Sequence, residues 1–393
     1  MVLHIITIHL LLHKIYHGEM NVINRRASLI IFSVQAIVVI ALYFILPGHV
    51  NVKRTAFQPD SINSICMGLH MSGASLQSIQ NLLHDLAQHF TPHSGMNCGT
   101  FISPPYRTRL LLPLIIGTFS YLGVWWSVLL PSILIYFLIG QLYYRLLCQF
   151  DINYRYYWAL AYLPFMSLHI TGFFANIMTE GLVVLFLLAL SFFWIGTKEY
   201  SRKFVVISSF FLGAGAIFTK QVWPVIAILW IVIIFKYFRS KNICVLLSTL
   251  SLSIAYALNL ITRFIGGYLY GSNFGNWSEF TVFQHPTKAI WGNVLDIERN
   301  LINCLTFFDP AFFIILYLLF AVFFSKSVAL FDKCVLLIFT FWGLAVAGET
   351  YIVEGDRGDN WRFLSFAFFF VIPVLMKSKM RVMLPAWIIR LKA

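Results

Sequence analysis

The chain has 393 residues, of which 60% are hydrophobic and only 11% charged, and its mean hydropathy is +0.81. A water-soluble domain carries about 25% charged residues, so that class is excluded. The net charge of +13 does not point to nucleic acid, because the basic residues lie in short stretches between apolar segments and no nucleic-acid motif occurs.

Residues 1–20, MVLHIITIHLLLHKIYHGEM, hold an apolar run too short to cross a bilayer. They lack the charged start and small-residue cleavage site of a signal peptide, so they read as an interfacial segment or an extension upstream of Met20. Arg25 and Arg26 then precede a first predicted span, Ser28–Pro47.

The polar stretch from Phe57 to Arg109 follows, and the rest of the chain is organised around it. Asp60 stands alone in Gln-Pro-Asp-Ser, just beyond the first span. Two roles fit it: an N-cap for a helix over Ser61–Gly73, or a carboxylate held near the membrane surface as a general base. Cys66 and Cys98 share this loop and can pair if it faces an oxidising compartment, or stand as two free thiols. His89 and His93 are four apart, but Pro92 between them disrupts the helix that metal-ligand spacing would need, so no metal site is predicted. The stretch closes on Pro104-Pro105-Tyr106-Arg107-Thr108-Arg109. Arg107 and Arg109 suit a phosphate, which the planar guanidinium grips with two hydrogen bonds, or they snorkel at the interface.

Leu110–Leu147 is one apolar tract, too long for one crossing and short for two. Pro113, Gly117 and Gly123 are expected to break its first part and Pro131 to kink the second. Further spans are predicted at 154–171, 177–196, 203–219, 222–238, 243–264, 310–325, 333–348 and 361–377. Polar segments Gly266–Asp309 and Glu349–Asn360 lie between them, and Asn276-Trp277-Ser278 is a glycosylation sequon. If Leu110–Leu122 lies on the outer surface without crossing, ten crossings result and both termini are cytoplasmic. Cytoplasmic segments then hold 18 of the 28 Lys and Arg, which favours that arrangement. Eleven of the 15 acids fall on the outer side.

Glu180, Lys220, Arg263 and Arg362 sit at the outer ends of predicted spans. Charges at such depth are costly, and four at one level suggest a polar cavity opening outward.

Taken in order, these features resemble the GT-C superfamily of integral-membrane glycosyltransferases, which includes dolichyl- and undecaprenyl-phosphate-sugar-dependent enzymes. The resemblance rests on FQPDSINSI with its early acid, SPPYRTRLLLPLIIG, ANIMTEGLVVLFLLAL with Glu180, TKQVWP with Lys220 and NWRFLSFAFFFVIP with Arg362. It implies an all-α polytopic fold of about ten transmembrane helices, with surface helices in the first long loop. Residues 1–27 would be an N-terminal interfacial segment, 28–377 the membrane-embedded domain with outer loops at about 48–123, 265–309 and 349–360, and 378–393 a basic cytoplasmic tail. Asp60 would be the general base of an inverting transfer. Arg107, Arg109, Lys220 and Arg362 would hold the donor phosphate, and Glu180 would orient the sugar or acceptor. No Asp-x-Asp occurs, which favours a lipid monophosphate donor and no metal cofactor. The implied partners are a lipid-linked sugar, a lipid, glycan or protein acceptor, and membrane lipids, at a bacterial inner membrane. The competing readings are an O-antigen-type polymerase or ligase, and a transporter of lipid-linked glycans.

Overall fold

The computed structural model describes residues 59–90, 111–147, 149–150, 160–167, 179–194, 246–247, 250, 253–254, 257, 285–307, 309–354 and 364–378. The described residues are all-helical, with no strand among them. In chain order the helices are α1 (Pro59–Met71), α2 (Leu76–Phe90), α3 (Leu111–Phe119), α4 (Val124–Leu147), α5 (Leu163–Met166), α6 (Thr179–Trp194), α7 (Pro286–Phe307), α8 (Pro310–Phe324), α9 (Leu330–Glu354) and α10 (Ser365–Ser378). The predicted spans at Ser28–Pro47, 203–219 and 222–238, and the tail beyond Ser378, lie outside the described residues.

Helices α1 and α2 form a hairpin whose turn is written in the sequence. Gly73 takes φ of 95°, and the Ala74 amide donates back to the Leu69 carbonyl at 3.1 Å, closing α1 in a Schellman motif. Ser75 then caps α2, its hydroxyl accepting from the Ser78 amide at 3.2 Å.

The apolar tract after Arg109 divides at one place. Pro113 and Gly117 were expected to break it, yet both lie inside α3. Pro113 is the third residue of the helix, where a missing amide hydrogen costs no intrahelical bond. Gly117 serves a contact described below. The break comes at Gly123, whose φ of 95° follows a short 3-10 turn over Ser120–Leu122 and precedes α4. Within α4, Leu130–Leu147 is the one stretch among the described residues long and apolar enough to cross a membrane, and Leu111–Leu122, Pro310–Phe324 and Ala367–Ser378 are shorter apolar helices.

The expected span 154–171 is not a continuous helix. The chain turns at Tyr162, makes the single turn α5, and leaves it at Ser167 in extended conformation. Pro164 is the cause, since its ring removes an amide donor and crowds the carbonyl of Leu160. The expected polar loops differ as well. The second half of Gly266–Asp309 is the helix α7, and α9 continues through Glu349 to Glu354, where an outer loop was expected.

At the centre stands α10, apolar all round, as a helix enclosed by others must be. Its three consecutive phenylalanines each meet a different neighbour. Phe368 packs edge-on against Phe312 of α8, Phe369 against Tyr143 of α4 and Phe165 of α5, and Phe370 against Phe339 of α9 at 4.5 Å. Tyr136 closes the cluster against Phe165. Successive residues on a helix point about 100° apart, so such a triplet serves three partners.

The outward faces are apolar too. On α9 the exposed residues Leu330, Cys334, Leu337 and Phe341 follow helical spacing, and Phe341 is 70% exposed. Tyr317, Phe320 and Phe324 do the same on α8, and Leu134, Phe137 and Leu138 on α4. Soluble monomers seldom carry contiguous apolar patches of this kind.

Candidate functional site

Helix α1 carries the candidate acid. It begins at Pro59, so Asp60 is its second residue, inside the first turn. Proline is favoured at a first helical position because its amide has no partner there in any case. An N-cap role for Asp60 is therefore not what the structure has, since the cap position precedes Pro59. A carboxylate in the first turn still gains from the helix dipole, by about 0.3–1 kcal/mol. The side chain of Asp60 lies outside the description.

The position of α1 is fixed by a backbone-to-backbone crossing with α3. A Cβ added at Gly68 would stand 2.6 Å from the Pro113 carbonyl oxygen and 2.9 Å from Cβ of Ile116. A Cβ at Gly117 would stand 2.8 Å from the Gly68 carbonyl oxygen. Only glycine fits at either place. Ile65, Cys66 and Leu69 of α1 and Leu112 and Ile116 of α3 are buried around the crossing. Asp60 lies eight residues before Gly68, about 12 Å along α1. Helix α3 begins two residues after Arg109. The helix that carries Asp60 thus crosses the helix that follows Arg109 in the chain.

Cys66, fully buried in α1, is half of a disulfide. Its partner lies outside the described side chains, and Cys98 lies outside the described residues. Such bonds persist in oxidising compartments.

Glu180 is the second residue of α6, which packs against α4 and α10 and buries Leu182, Val183, Val184, Leu187 and Leu188. Its side chain is likewise outside the description. Arg107, Arg109, Lys220, Arg263 and Arg362 lie outside the described residues. His70 and His84 are both exposed, and the His70 ring meets the Ala74 carbonyl at 3.3 Å.

The two described buried acids have structural partners. Asp309 caps α8: one carboxylate oxygen accepts from the Phe312 amide at 3.1 Å and the other from the Ser167 hydroxyl at 2.8 Å. It ties the end of α5 to the start of α8. Asp332, in the first turn of α9, pairs with Lys377 in the last turn of α10 at 2.6 Å. Neighbouring Lys333 donates to the Phe323 carbonyl at the end of α8 at 3.0 Å. These contacts mark the two ends of the α8–α10 layer, Asp309 at one and Lys377 at the other. Among the described residues, the buried polar atoms without a hydrogen-bond partner include Gln141 Nε2 and Tyr143 Oη on α4, Asn293 Oδ1 on α7 and Trp342 Nε1 on α9. Nothing in the residue pattern signals them, because burial of a polar atom is a property of packing.

No family model, curated protein or solved structure matches this chain.

Proposed function

We propose that this protein is a polytopic membrane glycosyltransferase that moves a sugar from a polyprenyl-phosphate donor to a lipid, glycan or protein hydroxyl on the non-cytoplasmic face. The observation that carries the reading is the glycine crossing of α1 and α3, which ties an acid-bearing helix start to the helix entered through Arg107-Thr-Arg109. The apolar outward faces of α4, α8 and α9 suit a lipid surround. The disulfide at Cys66 suits an outer, oxidising compartment for α1. Helix α3 has nine residues, about 14 Å, which favours a surface helix over a crossing. Exposed Arg145 and Lys326 stand with Lys377 at helix ends that this topology puts on the cytoplasmic side.

In this reading the chain crosses ten times, once through the broken segment that holds α5, and both termini are cytoplasmic. The acceptor oxygen attacks the anomeric carbon, the bond from that carbon to the phosphate oxygen breaks, and the lipid phosphate leaves with the electron pair. Asp60 takes the acceptor proton. Arg107, Arg109, Lys220 and Arg362 stabilise the charge growing on the phosphate, and Glu180 orients the sugar or the acceptor.

Asp60→Asn tests the proposal. An amide cannot accept the proton, and loss of a first-turn charge costs the helix little. The variant is expected to accumulate normally while sugar transfer, measured in detergent per folded protein, falls by roughly 10²–10⁴-fold. Near-wild-type transfer would end the role of Asp60.

A further inference from the structure

Helix α7 has an unusual division of its surface. Ala289 and Gly292 are buried and Asn293 is half-buried where the helix meets α9. Its outward side carries Ile290, Trp291, Val294 and Ile302, all exposed, with Trp291 58% exposed. Lys288 and Glu298 are exposed beside them. A stretch expected to be a polar loop thus presents large apolar side chains to its surroundings.

The height of α7 follows from the pairing of the other helices. Asp332 meets Lys377 and Phe339 meets Phe370, and seven residues separate the members on each helix, so α9 and α10 run antiparallel in register. Extending that register brings Leu344 level with Ser365, the first residue of α10. Phe312 meets Phe368, which brings Asp309, the cap of α8, to the same level. The amide of Asn293 donates to the Leu344 carbonyl at 3.1 Å and to the Ala289 carbonyl at 3.0 Å, so α7 is pinned to α9 at this rim. Beyond the rim α9 continues for ten residues, about 15 Å. Exposed aromatics also mark the start of α4, where Tyr121 and Trp126 precede the apolar stretch Leu130–Leu147. Tryptophan and tyrosine gather at the headgroup level of membrane proteins, where an apolar ring and a polar edge are both satisfied.

We infer that α7 is an interfacial helix whose Ile290, Trp291 and Val294 face dips into the outer leaflet, with phospholipid as its occupant. Small residues and the Asn293 amide hold it on α9, and exposed Lys288 lies at the edge of the apolar face, turned from its centre. The inference rests on the membrane reading of the fold and not on the sugar chemistry.

The test is photocrosslinking of the full chain in vesicles of phosphatidylcholine and phosphatidylglycerol. A benzophenone amino acid replaces Ile290, Val294, Lys288 or, as a control on the α9 outward face, Phe341. Intact-protein mass spectrometry after irradiation is expected to show phospholipid adducts at 290, 294 and 341, and far less adduct at 288. Adducts at 341 but not at 290 or 294 would overturn the inference and leave the membrane fold standing. Adducts at none of the positions would overturn both. A crosslinked dimer through 290 or 294 would show that a second copy covers the face, which also overturns it. Sugar transfer enters none of these readouts.

Discussion

The α1–α3 pair and the α8–α10 layer are held together by opposite means. In the first, two glycines bring backbones into contact, and a Cβ at either would stand within 3 Å of a carbonyl oxygen. In the second, large rings set the spacing, with Phe368, Phe369 and Phe370 each packed on a different helix. The close pair carries the candidate acid on a short rigid unit. The ring-packed layer carries no described candidate and supplies the frame. Small residues allow close approach, so the spacing of this pair is set by backbone atoms. Rings fill volume, so the layer depends on dispersion contacts over many atoms.

Removing a ring from the frame is expected to have the largest effect on stability. Phe369→Ala would leave a cavity among Tyr143, Phe165 and α10, and buried phenylalanine-to-alanine changes cost about 3–5 kcal/mol. The lower end of that range is expected, because the transfer contribution shrinks if lipid replaces water. Thermal unfolding of the full chain in detergent reads the loss, and an unchanged midpoint would break the frame assignment.

Adding one carbon to the close pair comes next. Gly68→Ala forces α1 and α3 apart, since its new atom meets a carbonyl and not a flexible chain end, and overpacking costs about 1–3 kcal/mol. Gly73→Ala is the sharpening control: nothing lies within 4 Å of its Cβ, and only the positive φ opposes it. Its cost is expected to be the smaller, of the order of 1 kcal/mol. If Gly68→Ala were the milder of the two, the crossing would not be the feature that holds α1.

Asp309→Ala removes the cap of α8 and the oxygen that the Ser167 hydroxyl reaches, with an expected loss of about 0.5–2 kcal/mol. Asp309→Asn keeps an oxygen for the Phe312 amide and is expected to cost less. A double-mutant cycle with Ser167→Ala isolates the link to α5, and additive losses would show the two act independently.

The smallest effect is expected at the other end of the layer. The Lys377 side chain is 34% exposed but its partner Asp332 only 3%, so the pair as a whole contributes little, and its worth is read by removing both charges together, which is expected to cost under about 1 kcal/mol. Lys377→Met together with Asp332→Asn is expected to shift the unfolding midpoint only slightly, and less than Lys377→Met alone, which strands the buried carboxylate. A loss rivalling that of Phe369→Ala would move the weight of the layer from its rings to its ion pair.

Much of the helical architecture was legible in the chain because its causes are local. Apolar runs gave α6, α8 and α10 near their observed bounds, and the helix expected over Ser61–Gly73 is α1, which ends in the turn at Gly73. What local signals could not rank was which breaker breaks. Pro113 and Gly117 looked like Gly123 in the sequence, but Pro113 falls in a first turn and Gly117 faces another helix, so only Gly123 interrupts. The polar composition of Gly266–Asp309 concealed α7, whose apolar residues are scattered along the sequence and meet only on a helical surface.

The sequence by itself determined that the chain is apolar and helical, where α6, α8 and α10 lie, and the chemistry available in its isolated acids and arginines. Those follow from composition, periodicity and the conformational limits of glycine and proline, which act within a few residues. The tertiary structure alone decided that Gly68 meets Gly117, that α10 is the hub, that Asp60 lies inside a helical turn on a crossed pair, and that α7 stands at the rim. Those depend on which distant segments approach, and no residue carries that information until the chain has packed.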